Sequence, residues 1–203
     1  MAYTYIDLFC GAGGLSLGFD EAGFENILAV ELQPAFAKTY QRNFPDHPLL
    51  VEDIRQISDE RLLELTSGKT VDVIVGGPPC QGFSIAGNIG RTFLDDERNR
   101  LFKEFVRFVA YLKPKMFVME NVAAMATHLK GKTIAAVEDA FETAGLGYRV
   151  QWQVLNSVHF GVPQERRRLV MVGIRKDFET AFAYPKEQER VYTVKDAIGD
   201  LPP

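Results

Sequence analysis

Apolar residues fall along this chain in short runs that alternate with stripes at helical spacing. Thr4 to Phe9 is a β-rich apolar run that breaks at Gly11, and Gly13 to Ala22 carries Leu15, Phe19 and Ala22 in a helical pattern. Together they predict a strand, a glycine-rich turn and a helix. Ile27 to Val30 repeats the pattern, ending on Glu31, and Pro34 suits the first turn of a helix reaching Phe44. Leu49 to Val51 is a weaker strand ending at Glu52 and Asp53, after which Ser58 can cap a helix carrying Leu62, Leu63 and Leu65. Val71 to Val75, apolar except for Asp72, predicts a buried fourth strand. Asn99 to Leu112 sets Leu101, Phe105, Phe108, Val109 and Leu112 on one stripe, read as plain core, and Pro114 ends it. Met116 to Met119 is a fifth strand ending on Glu120. Beyond a helix around Thr133 to Thr143, Tyr148 to Leu155 and Leu169 to Ile174 predict two more strands, an antiparallel pair joined by a loop with Gly161 and Pro163. From Lys176 the chain turns polar, and the closing AIGDLPP carries no strong element.

This repeated βα alternation predicts an α/β fold with a doubly wound, mostly parallel seven-stranded sheet. Ligands bind such sheets outside the carboxyl ends of the strands. Asp7, Glu31, Asp53, Cys80 and Glu120 all fall at or near predicted strand ends. The 203 residues, 46% of them hydrophobic, are enough for one core, so residues 1–203 are read as a single globular domain.

Charge and cysteine usage narrow the classes. A net charge of −4 argues against broad binding to a polyanion, so any nucleic-acid affinity has to be local or supplied by another part. Two cysteines, Cys10 and Cys80, make no disulfide framework, and the opening MAYTYIDLF has no basic, apolar signal region. No apolar run approaches a membrane span. A soluble protein of a reducing cytoplasm is expected.

The chemistry centres on Gly76 to Ser84, reading GGPPCQGFS. Pro78 and Pro79 fix φ and remove two N–H donors, so neither helix nor ladder continues, while Gly76, Gly77 and Gly82 let a ligand approach the backbone. Cys80 is left at the end of a strand. Free cysteines are more often buried structural residues, but the Pro-Pro-Cys-Gln-Gly setting favours a nucleophile. A thiol with pKa about 8.5 is only a few per cent ionised at neutral pH, so it needs help. The three histidines, His47, His128 and His159, sit in no convincing hydrolase motif.

Other candidates surround it. Gly11 to Ser16 approximates the dinucleotide fingerprint but has Ser16 in place of the third glycine, which weakens a pyrophosphate reading. Glu31, about twenty residues after the first glycine, suits two ribose hydroxyls, against the alternative of a solvated strand end. A nucleoside cofactor without a pyrophosphate fits better. Glu120, in Glu120-Asn121-Val122, is a carboxylic acid at an expected buried strand end, where a raised pKa would let it donate a proton. Its alternative is a structural carboxylate met by backbone donors. Gln164 to Arg168 offers guanidinium groups for an anion or a base edge, or is an exposed charged strand start.

Taken in order, DLFCGAGGLSLGF, VE, DI, GGPPCQGFS, DERNRLF, ENV and QERRR resemble the DNA (cytosine-5) methyltransferases over nearly the whole chain. The resemblance implies a Rossmann-like S-adenosylmethionine-dependent methyltransferase fold. It places Phe9, Gly11, Gly13, Gly14 and Leu15 around S-adenosylmethionine, Glu31 on the ribose with Leu32 beside it, Asp53 and Ile54 at the adenine, and Pro79 and Leu101 on the pocket wall. Cys80 would be the nucleophile, Glu120 the acid at the cytosine ring, and Arg166 and Arg168 partners of the flipped base. No metal is implied. Phe83 to Phe93, with Gly87, Gly90 and Arg91, has the composition of a closing loop.

Two departures qualify this. Leu32 stands where some members carry a large aromatic, and the variable region that reads DNA sequence and the final segment that completes the cofactor domain are not found in these residues. The expected partner is double-stranded DNA, and recognition is expected either from the remainder of a longer chain of which this is a part or from a second polypeptide of a split enzyme. Cytosine-5 methylation of RNA, whose loops also present unstacked bases, and a non-catalytic regulatory subunit are the alternatives. Retention of both Cys80 and Glu120 argues against the second.

Overall fold

The computed structural model describes residues 2–79 and 99–201. Seven strands form one sheet in the order β3-β2-β1-β4-β5-β7-β6. β1 (Thr4–Leu8), β2 (Glu25–Glu31), β3 (Leu49–Val51), β4 (Val73–Gly76) and β5 (Met116–Val122) run parallel, whereas β6 (Tyr148–Asn156) and β7 (Arg167–Arg175) are antiparallel to each other, β7 lying against β5. The strand reversal sits between β1 and β4, on either side of which the carboxyl-end turns diverge to leave a crevice.

Alternation along the strands divides the core into two layers. Ile6, Leu8, Ile74, Phe117 and Met119 face one side and pack with Leu62 of α3 (Asp59–Leu65), Phe102 and Phe105 of α4 (Arg100–Leu112) and Phe141 of α5 (Lys132–Glu142). Tyr5, Val73 and Val75 face the other, against Leu15 and Phe19 of α1 (Gly14–Glu21), while Ala29 meets Tyr40 of α2 (Pro34–Asn43). The larger layer is aromatic: Phe117 stacks on Phe141 at 4.0 Å between centroids, and Phe102 and Phe105 meet Phe141 edge-on at 5.7 and 6.0 Å. Each such pair contributes about 0.5–1.5 kcal/mol beyond the area it buries. Gly173 on β7 is the register partner of Phe117, and a Cβ there would lie 2.0 Å from the Phe117 ring.

Three expectations are corrected. β4 begins at Val73 rather than Val71, because the Asp72 side chain leaves the ladder to accept from Thr4 N–H (2.8 Å) and pair with Lys115 Nζ (2.7 Å). β5 does not end on Glu120 but runs to Val122. Its parallel partner stops at Gly76, yet β7 on the other side continues the ladder through Glu120↔Val170 and Val122↔Arg168. The closing segment holds a helix, α6 (Val194–Ile198), nucleated by a capping box: Thr193 accepts from Asp196 N–H while Asp196 accepts from Thr193 N–H at 2.8 Å.

Candidate active site

The turn after β1 is built from left-handed backbone. Phe9, Gly11 and Gly13 have φ of 66°, 56° and 96°. Gly13 caps α1, and a Cβ on it would lie 2.1 Å from the Phe44 ring, so any other residue would be strained and would have to displace that ring. Phe9 holds the same region without a glycine's freedom, strain of a kind that persists where surrounding structure enforces it.

Glu31, at the end of β2 and 8% exposed, ties this turn to the next one. One carboxylate oxygen accepts from Gly11 N–H at 2.9 Å and the other from Gln33 N–H at 2.7 Å. Each oxygen keeps a lone pair for a further donor. A cleft of about 510 Å³ opens beside it, and Phe9, Gly11, Glu31, Leu32, Asp53, Ile54, Pro79 and Leu101 all line it. Eight of the eleven residues expected around a cofactor thus share one cleft. Gly13, Gly14 and Leu15 are not on its wall. The first two shape the helix start, and Leu15 packs against the Tyr5, Val73 and Val75 layer. Asp53 caps the turn Ile54–Gln56, and the Arg55 guanidinium bound to it holds its carboxyl below the usual range. The sequence reading missed Gln33 and Phe36 on the same wall. Their one signal was position, in the first turn after an acidic strand end.

Next to the cleft, across β4, stands the second half of the site. Glu120 projects from within β5, partly exposed, with Arg168 Nε at 2.7 Å and Arg166 at 3.5 Å from its Oε1. It is therefore an ion-paired strand residue and not an isolated acid at a buried strand end. Period-two alternation puts Arg166 and Arg168 on its side and leaves Arg167 off it. The Gly76–Pro79 turn leans on this strand: a Cβ on Gly77 would lie 3.2 Å from Glu120 Oε2, and the buried Asn121 amide donates to Pro78 C=O at 3.0 Å. Asn121, singled out only as part of a triplet, anchors the backbone two residues before Cys80. Cys80 itself and the Phe83 to Phe93 loop lie outside the described residues.

The sequence matches the description C-5 cytosine-specific DNA methylase over residues 3–203. The chain belongs to that family. It is similar, at 55% identity over 202 residues, to the Type II methyltransferase M1.HphI of Haemophilus parahaemolyticus, covering all of this chain and 54% of that protein. It is 39% identical to the Type II methyltransferase M.AquIA of Picosynechococcus, covering all of this chain and 90% of that protein. Among solved structures, a putative DNA modification methyltransferase encoded within an E. coli prophage superposes with a TM-score of 0.83 at 31% identity, over 99% of this chain and 56% of that one. The chain thus spans about half the length of several relatives it matches.

In this methylase-family chain a polar chain also runs from the buried Asp7 to the partly exposed His47 and Asp20. Asp7 Oδ2 accepts from Ser16 Oγ at 2.6 Å, Ser16 Oγ meets Tyr40 OH at 2.8 Å, Tyr40 OH meets His47 Nδ1 at 2.9 Å, and His47 Nε2 lies 3.1 Å from Asp20. Tyr5 OH closes it, donating to Asp20 at 2.7 Å. Asp7 is fully buried and its other oxygen has no hydrogen-bond partner among the described residues. Burial pushes its carboxyl up to about 7, with Ser16 opposing and Glu31 adding to the rise. Burial likewise pushes the Cys10 thiol well above its ordinary value, so Cys10 is a core residue. Among the described residues no group of acidic, histidine and cysteine side chains has metal-binding geometry, and no helix is long and apolar enough to cross a membrane.

Proposed function

We propose that this chain is the catalytic part of an enzyme that methylates C5 of cytosine in DNA, with S-adenosylmethionine as the methyl donor and Cys80 as a covalent nucleophile. The observation that carries the reading is the meeting, at one sheet edge, of a nucleoside-sized cleft with a buried carboxylate and of the Glu120 and Arg168 pair across β4. The residues suit the cofactor: Glu31 has acceptor capacity left for ribose hydroxyls, and Leu32, Ile54 and Leu101 give apolar walls for a purine. When bound, S-adenosylmethionine supplies an electrophilic methyl group on a sulfonium.

The protein's own part is to make a poor nucleophile attack. The Cys80 thiolate forms an S–C6 bond to cytosine, and the displaced π pair moves into the ring, where Glu120 meets it by delivering a proton to N3. C5 thereby becomes the nucleophilic carbon of an enamine. After methylation the N3 proton returns to Glu120, and as a water molecule takes the C5 proton its electron pair restores the C5–C6 double bond and the S–C6 bond breaks, freeing Cys80 as the thiolate. Arg168 and Arg166 fix the Glu120 carboxyl and supply donors for the base. The target has to be flipped from the duplex, at about a few kcal/mol of unstacking.

Target recognition is assigned to a further segment or second polypeptide. The net charge of −4 and the 54% coverage of M1.HphI support that division. The test uses the chain together with such a segment, on duplexes carrying 5-fluorocytosine. A covalent protein–DNA adduct should form and map to Cys80, and Cys80→Ser should form none while keeping its fold. An adduct or methylation with Cys80→Ser would refute the assignment. Running transfer RNA in parallel decides between DNA and RNA as substrate.

A further inference from the structure

Phe36 is the one phenylalanine among the described residues left mostly in solvent, at 56% exposure. Helix α2 buries Ala37 and Tyr40 in the core, and Phe36, in its first turn, lies instead on the cleft wall. A large apolar side chain held open on one wall of a concave site is a contact awaiting a partner.

Topology says which part of a ligand it meets. The sheet order β3-β2-β1-β4 lines up the carboxyl-end turns as Asp53 and Ile54, then Glu31, then Gly11, then Pro79. Because α2 joins β2 to β3, Phe36 belongs to the β3 half of the cleft, with Leu32 and Ile54. Glu120 and the turn leading to Cys80 belong to the β4 half. A cofactor whose ribose sits on Glu31 must send its reactive end toward β4, which leaves its base on the β3 side.

We infer that Phe36 is the aromatic platform on which the cofactor's purine stacks, with Ile54 on the β3 side of the ring. This rests on the nucleoside-cofactor reading above. It assigns to the first turn of α2 a function that Leu32, aliphatic, does not supply, since an aromatic ring adds a π-face to apolar cover.

The experiment is calorimetry on the full chain with two probes, S-adenosylhomocysteine and adenosine, which share the purine and ribose. Phe36→Ala should weaken both about tenfold. Phe36→Trp should restore binding to within about twofold of the parent, and Phe36→Leu should stay weak. Unchanged affinity in Phe36→Ala, full affinity in Phe36→Leu, or a loss confined to S-adenosylhomocysteine would each overturn the stacking role while leaving the cofactor reading standing. A parent chain that binds neither probe would overturn both.

Discussion

Arg168 Nε lies 2.7 Å from Glu120 Oε1, across neighbouring antiparallel strands in which Glu120 pairs with Val170 and Val122 with Arg168. The contact is diagonal, so the guanidinium reaches back over the pleat to the carboxylate and fixes its direction beside the Gly77 turn.

Arg168→Ala is expected to cut methyl transfer by about 100-fold or more in the complemented enzyme, the scale of a positioned proton donor or acceptor. Thermal stability should fall by only about 1 kcal/mol, because the pair is partly solvated. Arg168→Lys should recover little, since a point charge cannot keep the fork geometry. Single-turnover kinetics alongside melting curves check this. A large loss of stability with activity retained would make the pair merely structural.

Glu31 holds two backbone N–H groups as well as facing the cleft. Glu31→Ala should weaken S-adenosylmethionine binding by about 1–3 kcal/mol and also lower the melting temperature, since both donors lose a charged acceptor. Glu31→Gln should do less on both counts, because one amide oxygen still accepts. Calorimetry and melts on the three proteins suffice. Equal affinity in all three would remove Glu31 from cofactor binding.

Asp7 links stability to pH with a definite sign. Its folded value, near 7, is above the ordinary carboxylate value, so the folded state keeps a proton that the unfolded chain releases. That contribution is complete below about pH 4 and is lost as pH rises through 7. Melting temperature should therefore fall between pH 5 and pH 7.5 in the parent and fall less in Asp7→Asn, whose amide oxygen can still accept from Ser16 Oγ. Parallel slopes in the two proteins would show that Asp7 is ionised throughout.

Much of this arrangement is legible without coordinates. Alternating apolar runs, helical stripes and glycine turns are local signals, and among the described residues they located all seven strands and the five larger helices. α6 escaped because its signal is a capping box and not an apolar period. Glu31 was legible as a strand-end carboxylate. That both its oxygens clamp turns was not, since Gly11 and Gln33 take part through backbone N–H groups that any residue carries.

The sequence by itself determined the chemistry on offer: a cysteine after Gly-Gly-Pro-Pro, a carboxylate ending β2, an acid in Glu-Asn-Val and a run of arginines. Only the tertiary structure decided which of these meet. β7 threads between β5 and β6, and that pairing brings Arg166 to Glu120 from 46 residues away and carries β5 past its expected end. The strand order likewise sets Phe36 and Ile54 in one half of the cleft, while Leu15 packs, partly buried, against the Tyr5, Val73 and Val75 layer. Periodicity specifies which face of an element is apolar. Which strand lies next to which depends on burying those faces together across long loops, and that is a property of the whole packed chain.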